Sequence, residues 1–418
     1  MFRIWIYLNL SNFIKFFFLK KNYKIIISYI KNTLGKQSKK KYVLLTSQCR
    51  IGFLYILKYL KNKNPKKNEI IFSAYNLPEM INVAKNLNYK IRFCDINYKT
   101  GFVNLNQIQK LISNKTNIIV LTNMFNTYQD SLKLKKIAKK FKINLIEDNA
   151  IYFDNFSKNR KKNYSGSVGD FSIYSFNIMK NVSSLYGGAV TTNDYNFYKF
   201  YDEESKNLSD FNFLTLFRQI LIFMILKIMS INILYKFIFF KIIKKAHKQQ
   251  NDFILKIIYP SLRFIKKKFP NYYFTKISKM SLFFTYLQLK NKDLRKNNFN
   301  LRKQKNIHYF KNLVNLRKNK ILNLIKIKNF NYQNFLDFPI LVHNKYKFNY
   351  FLLNRGIEIR FKQYYNCAKM FSNREKCKNA DLYEKKLVCL PNHPKISINY
   401  ANYILKNIEN YIFRYNSM

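Results

Sequence analysis

The chain has 418 residues and a formal net charge of +55, with 76 Lys and Arg against 21 Asp and Glu. Its length exceeds one small core and suits a large domain joined to a smaller one. The cations run through the whole sequence, and Lys, Asn, Ile, Phe and Tyr abound while Gly and Pro are scarce, a bias that AT-rich codons impose, so the charge does not by itself indicate a nucleic-acid partner, and none is expected.

Met1–Leu19 is apolar and aromatic, interrupted by Arg3 and Lys15, with no small-residue cleavage site. It reads as an interfacial or core-docking helix. Leu34–Lys41 reads as a linker that closes an N-terminal segment, residues 1–41. From Tyr42 onward, strand and helix patterns alternate. Thr46–Leu60 reads as a loop feeding a helix, with Cys49 and Arg50 at its start. Glu69–Ala74, Lys90–Ile96 and Asn117–Asn123 read as buried strands, and Glu79–Leu87, Leu105–Ile112 and Leu132–Phe141 as helices between them. This alternation predicts an α/β fold with a mostly parallel central sheet covered by helices, over residues 42–195. Ligands of such sheets bind beyond the C-terminal strand ends, where Tyr75, Asn123 and Asp148 fall.

Chemistry concentrates at two stretches. Ile143–Ala150 is a buried-type strand ending on Glu147 and Asp148. Asp170–Asp194 carries an alternating strand, Ser175, then Lys180, and a Gly187-Gly188 turn into the next strand. A lysine on a tight loop with a carboxylate at a strand end suits an aldehyde cofactor with a pyridinium nitrogen. The amine forms an imine and the carboxylate keeps the ring nitrogen protonated. The strand offers two such carboxylates, Glu147 and Asp148.

Residues 196–278 form an apolar insertion. Phe211–Ile243 is long enough to cross a bilayer, but Lys227 and Lys236 lie inside it, roughly 180° apart around a helix. A helical hairpin in an anionic membrane interface and an insertion packed on protein or in a dimer interface both remain open. Residues 279–305 read as a linking helix and 306–418 as a smaller α+β domain. Its strands are Phe335–Val342 and Ile357–Phe361, with a helix Lys345–Asn354 and a last helix Asn399–Tyr415. Five cysteines without a C-x-x-C pair fit a reducing cytosol, and four scattered histidines predict no metal site.

The run I-E-D-N-A followed by S-F-N-I-M-K-N and G-G-A-V-T-T-N-D resembles the DegT/StrS family of fold-type I pyridoxal-phosphate sugar aminotransferases. Weaker similarity continues through Lys279–Gln304 and L-P-N-H-P near the C-terminus. The resemblance implies pyridoxal 5'-phosphate as cofactor, Lys180 as Schiff-base lysine, Asp148 as pyridinium partner and Ser175 as phosphate ligand. It also implies that the helix start at Cys49 and Arg50 holds the phosphate, and that Tyr75, Leu77 and Asn123 stand around the ring. The implied activity is amino transfer, from glutamate as expected donor, to a nucleotide-linked keto-sugar for cell-surface polysaccharide, in a cytoplasmic homodimer; the apolar stretch Phe211–Ile243 adds the expectation of peripheral attachment to the inner face of the cytoplasmic membrane. The chain departs from the family pattern at Cys49, Leu77, Asn123, Ile151 and Leu185-Tyr186. A degenerate membrane-associated scaffold is therefore an alternative. A sugar dehydratase is another, but those relatives carry histidine where this chain has Lys180.

Overall fold

A computed structural model describes residues 2–20, 22–124, 131–151, 153, 156, 166–249, 251, 269, 271–315, 321–326, 330, 333–361, 364–371 and 376–416. The Thr122–Asp130 motif therefore lies mostly outside the described residues, as does much of 250–270.

Short apolar runs build the central sheet: β1 Tyr42–Thr46, β2 Glu69–Ser73, β4 Lys90–Cys94, β5 Thr116–Thr122, β6 Asn144–Asp148, β7 Phe171–Ser175 and β8 Gly188–Thr192. Their order is β1-β8-β7-β6-β5-β2-β4. Strands β4, β2, β5, β6 and β7 are parallel, and β8 runs antiparallel to β7 and to β1. β2, β5 and β8 are buried along their full length, as a sheet covered on both faces requires. The helices Cys49–Lys63, Pro78–Asn86, Leu105–Leu111 and Ser131–Lys140 cover it, close to the predicted ranges.

The N-terminal segment differs from expectation. Phe2–Leu8 is extended, not helical, and Phe2, Ile4, Ile6, Tyr7 and Leu8 are all buried. Its carbonyls are satisfied from afar: His393 Nε2 donates to Phe2 O (2.9 Å), Lys227 Nζ to Ile6 O (3.2 Å) and Gln288 Nε2 to Tyr7 O (3.1 Å). A helix would have bonded those groups internally; here tertiary donors replace it. The helix starts only at Leu10 and ends at Phe18. The predicted linker at Leu34–Lys41 is also corrected, because helix Tyr23–Ser38 runs through it and ends at Lys39 in the left-handed region (φ 54°). Ile26, Ile30, Leu34 and Ser38 form a buried i, i+4 stripe, and this packing outweighs the roughly 1 kcal/mol cost of Gly35 inside the helix.

The apolar insertion is a bent helical pair, Phe213–Met229 and Asn232–Lys248, at 80°. Among the described residues, no single helix is long and apolar enough to cross a membrane. Phe223, Met229, Tyr235, Ile243 and Ala246 face the core, and Phe13 of the N-terminal helix packs on Phe223 with ring centres 5.0 Å apart. The outer face stays apolar: Phe213 is 72% exposed, Leu214 73% and Ile233 69%.

The predicted linking helix is two, Lys279–Lys290 and Lys292–Asn315, broken at Asn291; the second continues past Asn306. In the smaller unit, β9 Leu322–Leu324, β10 Phe338–Val342 and β12 Leu387–Leu390 form an antiparallel sheet in the order β12-β10-β9. Ile357–Phe361 is not a strand of it: among the described residues its backbone pairs with the sheet through the isolated bridge Arg360↔Cys389, while Ile357, Ile359 and Phe361 pack into the same core, and β9 takes the expected place. The short strands β3 Tyr75–Asn76 and β11 Tyr365–Asn366 pair and tie the two units together.

Candidate active site

Parallel strands β2, β5 and β6 end on one edge of the sheet, which puts Tyr75, Asn123 and Asp148 there. Successive side chains of a strand face opposite ways, and this separates the two acids of β6. Glu147 is fully buried, its Oε2 accepting from Val168 N (3.0 Å), Gly169 N (2.7 Å) and Ser172 Oγ (3.4 Å). It serves the Gly166–Gly169 turn. Asp148 Oδ1 accepts from Ala150 N (3.0 Å), and burial pushes its carboxyl above the ordinary range, against the pull of that N–H and of Lys180.

Lys180 is held on a loop clamped by its own backbone and hydroxyls. Lys180 N donates to Asn177 O (2.9 Å), Ser184 N to Phe176 O (2.8 Å) and Ser183 Oγ to Ile178 O (2.6 Å). Burial lowers its amine from the ordinary lysine range. Asp148 opposes that shift, while the Arg360 guanidinium adds to it. Lys180 thus lies within the field of a carboxylate on one side and a cation on the other. Its pocket is lined by Ile151, Met179, Asp337, Arg360 and Tyr364, and by Arg3, Trp5 and Tyr7 of the N-terminal strap.

At the other end of the site, helix Cys49–Lys63 begins without a side-chain cap. Ser47 Oγ and Gln48 Nε2 are buried without partners, and the first N–H groups of any helix have no intrahelical acceptor. Gly188 crosses this start so closely that a Cβ there would stand 2.4 Å from Cys49 N. Ser175 is registered opposite Gly188. Amide donors and hydroxyls with no internal use therefore gather at one point, the donor set a phosphate requires. Burial pushes the Cys49 thiol up, with Asp148 adding to the shift, so it stays neutral.

The remaining predicted residues are placed differently. Arg50 Nη1 donates to Glu79 Oε1 (2.6 Å) and to Tyr273 OH (3.1 Å), so its charge is matched by a carboxylate. Tyr75 is buried, packs on Tyr364 and Tyr383, and accepts from Tyr364 N (3.3 Å). Leu77 is half-buried at the N-cap of Pro78–Asn86. Asn123 donates to Asn149 Oδ1 (2.7 Å). The structure thus brings Lys180, Asp148 and Cys49 into one electrostatic group, while Tyr75 and Arg50 are engaged by neighbours.

Sequence reasoning passed over Arg360, Trp5 and His393. Arg360 is the one cation inside the apolar run I-E-I-R-F, and Trp5 is the only tryptophan. Both were visible as lone exceptions, but only the fold brings them to Lys180.

Residues 29–203 match the DegT/DnrJ/EryC1/StrS aminotransferase family. The match covers less than half of this chain. Two curated relatives are similar to this chain: GDP-4-keto-6-deoxy-D-mannose 3-dehydratase of Yersinia pseudotuberculosis, 24% identical over 41% of this chain and 45% of that protein, and GDP-perosamine synthase of Escherichia coli O157:H7, 27% identical over 31% and 35%. The match spans less than half the length of either. The solved structure of Helicobacter pylori PseC, an aminotransferase involved in the biosynthesis of pseudoaminic acid, superimposes with a TM-score of 0.66 at 15% identity, over 95% of this chain and 98% of that one. That likeness shows the fold, a fold-type I architecture with a mostly parallel sheet. Members of the family use pyridoxal phosphate.

Proposed function

We propose that the chain is a pyridoxal-phosphate-dependent aminotransferase that moves an amino group from an amino acid, glutamate as expected donor, to a keto-sugar carried by a nucleotide. The observation that carries this reading is buried Lys180 lining a pocket, coupled to Asp148 at a strand end and to a bare helix start at Cys49.

Pyridoxal phosphate, when bound, supplies an aldehyde for amines and a ring that accepts electrons. The residues of this chain do the rest. The amide groups at Cys49 and the Ser175 hydroxyl would hold the phosphate. Asp148 would hold a proton on the ring nitrogen, a task that favours its charged form once the cation is beside it. Lys180, with its amine pKa lowered by burial and Arg360, is suited to attack the aldehyde and then to carry a proton at its Nζ. Arg360, whose Nη1 donates to Asp337 Oδ1 (3.4 Å), would offer its remaining guanidinium N–H groups to an anionic group of the donor. Arg50, already paired with Glu79, would support the helix start rather than lend a free charge.

The test is borohydride reduction of the protein with pyridoxal phosphate, followed by peptide mapping. The label is expected on Lys180, with loss of the visible absorbance, and neither in Lys180→Ala. If wild type takes no label at saturating cofactor, the chain is a scaffold. The retained lysine also weighs against dehydration, the activity named for one relative.

Two copies and an anionic membrane surface belong to the same proposal. Between Phe211 and Asn251 there is no acid, and Arg218, Lys236 and Lys241 are exposed beside the apolar outer face of the bent pair. Cations at the rim of an apolar face fit anionic headgroups, at roughly 1 kcal/mol each. Flotation with vesicles containing anionic lipid, but not with neutral ones, is the expected result. A dimer that floats with neither means that a second copy covers the face.

A further inference from the structure

Part of the Lys180 pocket is built by stretches of the chain outside the family match, the strap Phe2–Leu8 and the loop after β12, and the first helix of the bent pair reaches the strap through Lys227. Cations collect there. Lys227 Nζ stands 5.2 Å from the Trp5 ring centre and Lys395 Nζ 5.7 Å from it. Lys305 is 2% exposed, and burial together with Arg302 holds its amine down to about 8. Among the described residues none of these three lysines has an ion-pair partner. Of the acids close by, Glu358 is taken by Arg3 Nε (2.8 Å) and Tyr235 OH (2.5 Å), and Asp337 of the pocket lining by Arg360 Nη1 (3.4 Å).

Two buried acceptors line the same pocket. His393 stacks on Trp5 (5.9 Å between centres, 18° between planes) and spends Nε2–H on Phe2 O, which leaves Nδ1 as an acceptor without a partner. Burial holds this ring neutral, its pKa near 4. Asn392 spends its amide N–H on Phe335 O (2.6 Å), and its Oδ1 has no partner. A cation–π contact at a half-exposed ring returns only about 0.5–1 kcal/mol, and with one N–H of Lys227 spent on Ile6 O it does not balance the charges of Lys227 and Lys395 beside two unused acceptors. An anion with hydroxyls close to it would match both sets.

We propose that Trp5, Lys227, Lys395, His393 and Asn392 form the subsite for the diphosphate-linked end of the sugar, with Lys227 and Lys395 on the diphosphate and the two acceptors on sugar hydroxyls. This rests on the reading of the Lys180 pocket as a sugar site. A diphosphate is common to nucleotide-linked and polyprenyl-linked sugars. Lys227 lies on the helix whose outer face is the exposed apolar one, so both sources reach the same cations.

Trp5 is the sole tryptophan, and its emission reports the subsite without turnover. The cofactor-loaded protein would be titrated with inorganic pyrophosphate, uridine diphosphate and farnesyl diphosphate, with excitation at the indole edge. Saturable quenching by pyrophosphate is expected, weakened about tenfold in Lys395→Gln, and further in Lys227→Gln but not in Lys227→Arg, as loss of a charged hydrogen bond implies. Lys395 is exposed, so its substitution leaves the fold intact. Tighter binding of uridine diphosphate assigns a nucleotide-linked source and tighter binding of farnesyl diphosphate a lipid-linked one. No saturable change with any probe, or quenching unaltered in Lys227→Gln and Lys395→Gln, overturns the subsite. The borohydride label on Lys180 is read on the same samples, so a failed subsite is told apart from a failed cofactor site.

Discussion

Replacing Gly188 by Ala should damage the cofactor site through the backbone alone. A methyl there would meet Cys49 N at 2.4 Å, Gln48 C at 2.6 Å and Cys49 Cα at 2.7 Å. Non-bonded carbon contacts settle near 3.5–4.0 Å, so β8 or the helix start must give by about 1 Å. Overpacking of this kind costs roughly 1–3 kcal/mol, or about 5- to 150-fold in an equilibrium constant. Because the displaced atoms are the amide groups offered to the phosphate, the cost appears in cofactor affinity as well as in stability. Gly52→Ala is the control: its methyl would meet Val190 Cγ2 at 2.5 Å, a side chain that can be trimmed. Val190→Ala should relieve Gly52→Ala, and no side-chain trimming should relieve Gly188→Ala. Thermal unfolding without cofactor and titration with pyridoxal phosphate in the visible give the two equilibria. Gly188→Ala with the wild-type cofactor affinity and an unchanged Tm would refute the reasoning.

Arg3→Ala leaves Glu358 buried with Tyr235 as its remaining donor from this cluster. A loss of about 3–5 kcal/mol is expected in denaturant unfolding, largely recovered by the paired change Arg3→Met with Glu358→Leu. Asp148→Asn should still take the borohydride label at Lys180 but lose the first half-reaction by orders of magnitude; Glu147→Gln, on the other face of β6, should keep it, and the reverse outcome would exchange the two carboxylates. Lys305 titrates near pH 8 in the fold and at the ordinary lysine value when unfolded, so the unfolded chain binds more protons between those values. Its penalty is fully present at neutral pH and is relieved as pH rises above 8. Each pH unit between the folded and unfolded titrations is worth about 1.4 kcal/mol, so Lys305→Met should be the more stable protein at pH 7 by up to about 3 kcal/mol, a gap that closes towards pH 10. Parallel melting curves at pH 7 and 9.5 would show no convergence if the lysine is solvated.

Local pattern determined much of this protein. Buried strands of five to seven residues around an apolar centre, such as Asn144–Asp148 and Thr116–Thr122, stand out locally, and the helices between them carry their own period. The closeness of Lys180 and Asp148 was also legible, because chemistry on a tight loop and a strand end leaves a spacing in the sequence. What escaped was decided by partners far along the chain. Phe2–Leu8 is extended because Lys227, Gln288 and His393 supply its hydrogen bonds, and no local pattern records donors that distant. Leu34–Lys41 looked like a linker until Ile26, Ile30 and Leu34 found a core to face. Arg50 was read as a phosphate cation, yet Glu79 and Tyr273 reach it across the fold. Arg360 and Trp5 are single residues in apolar runs, and only the packing of the smaller unit and the strap brings them beside Lys180. Periodicity fixes which face of an element is buried; which side chains meet there is a property of the assembled layers.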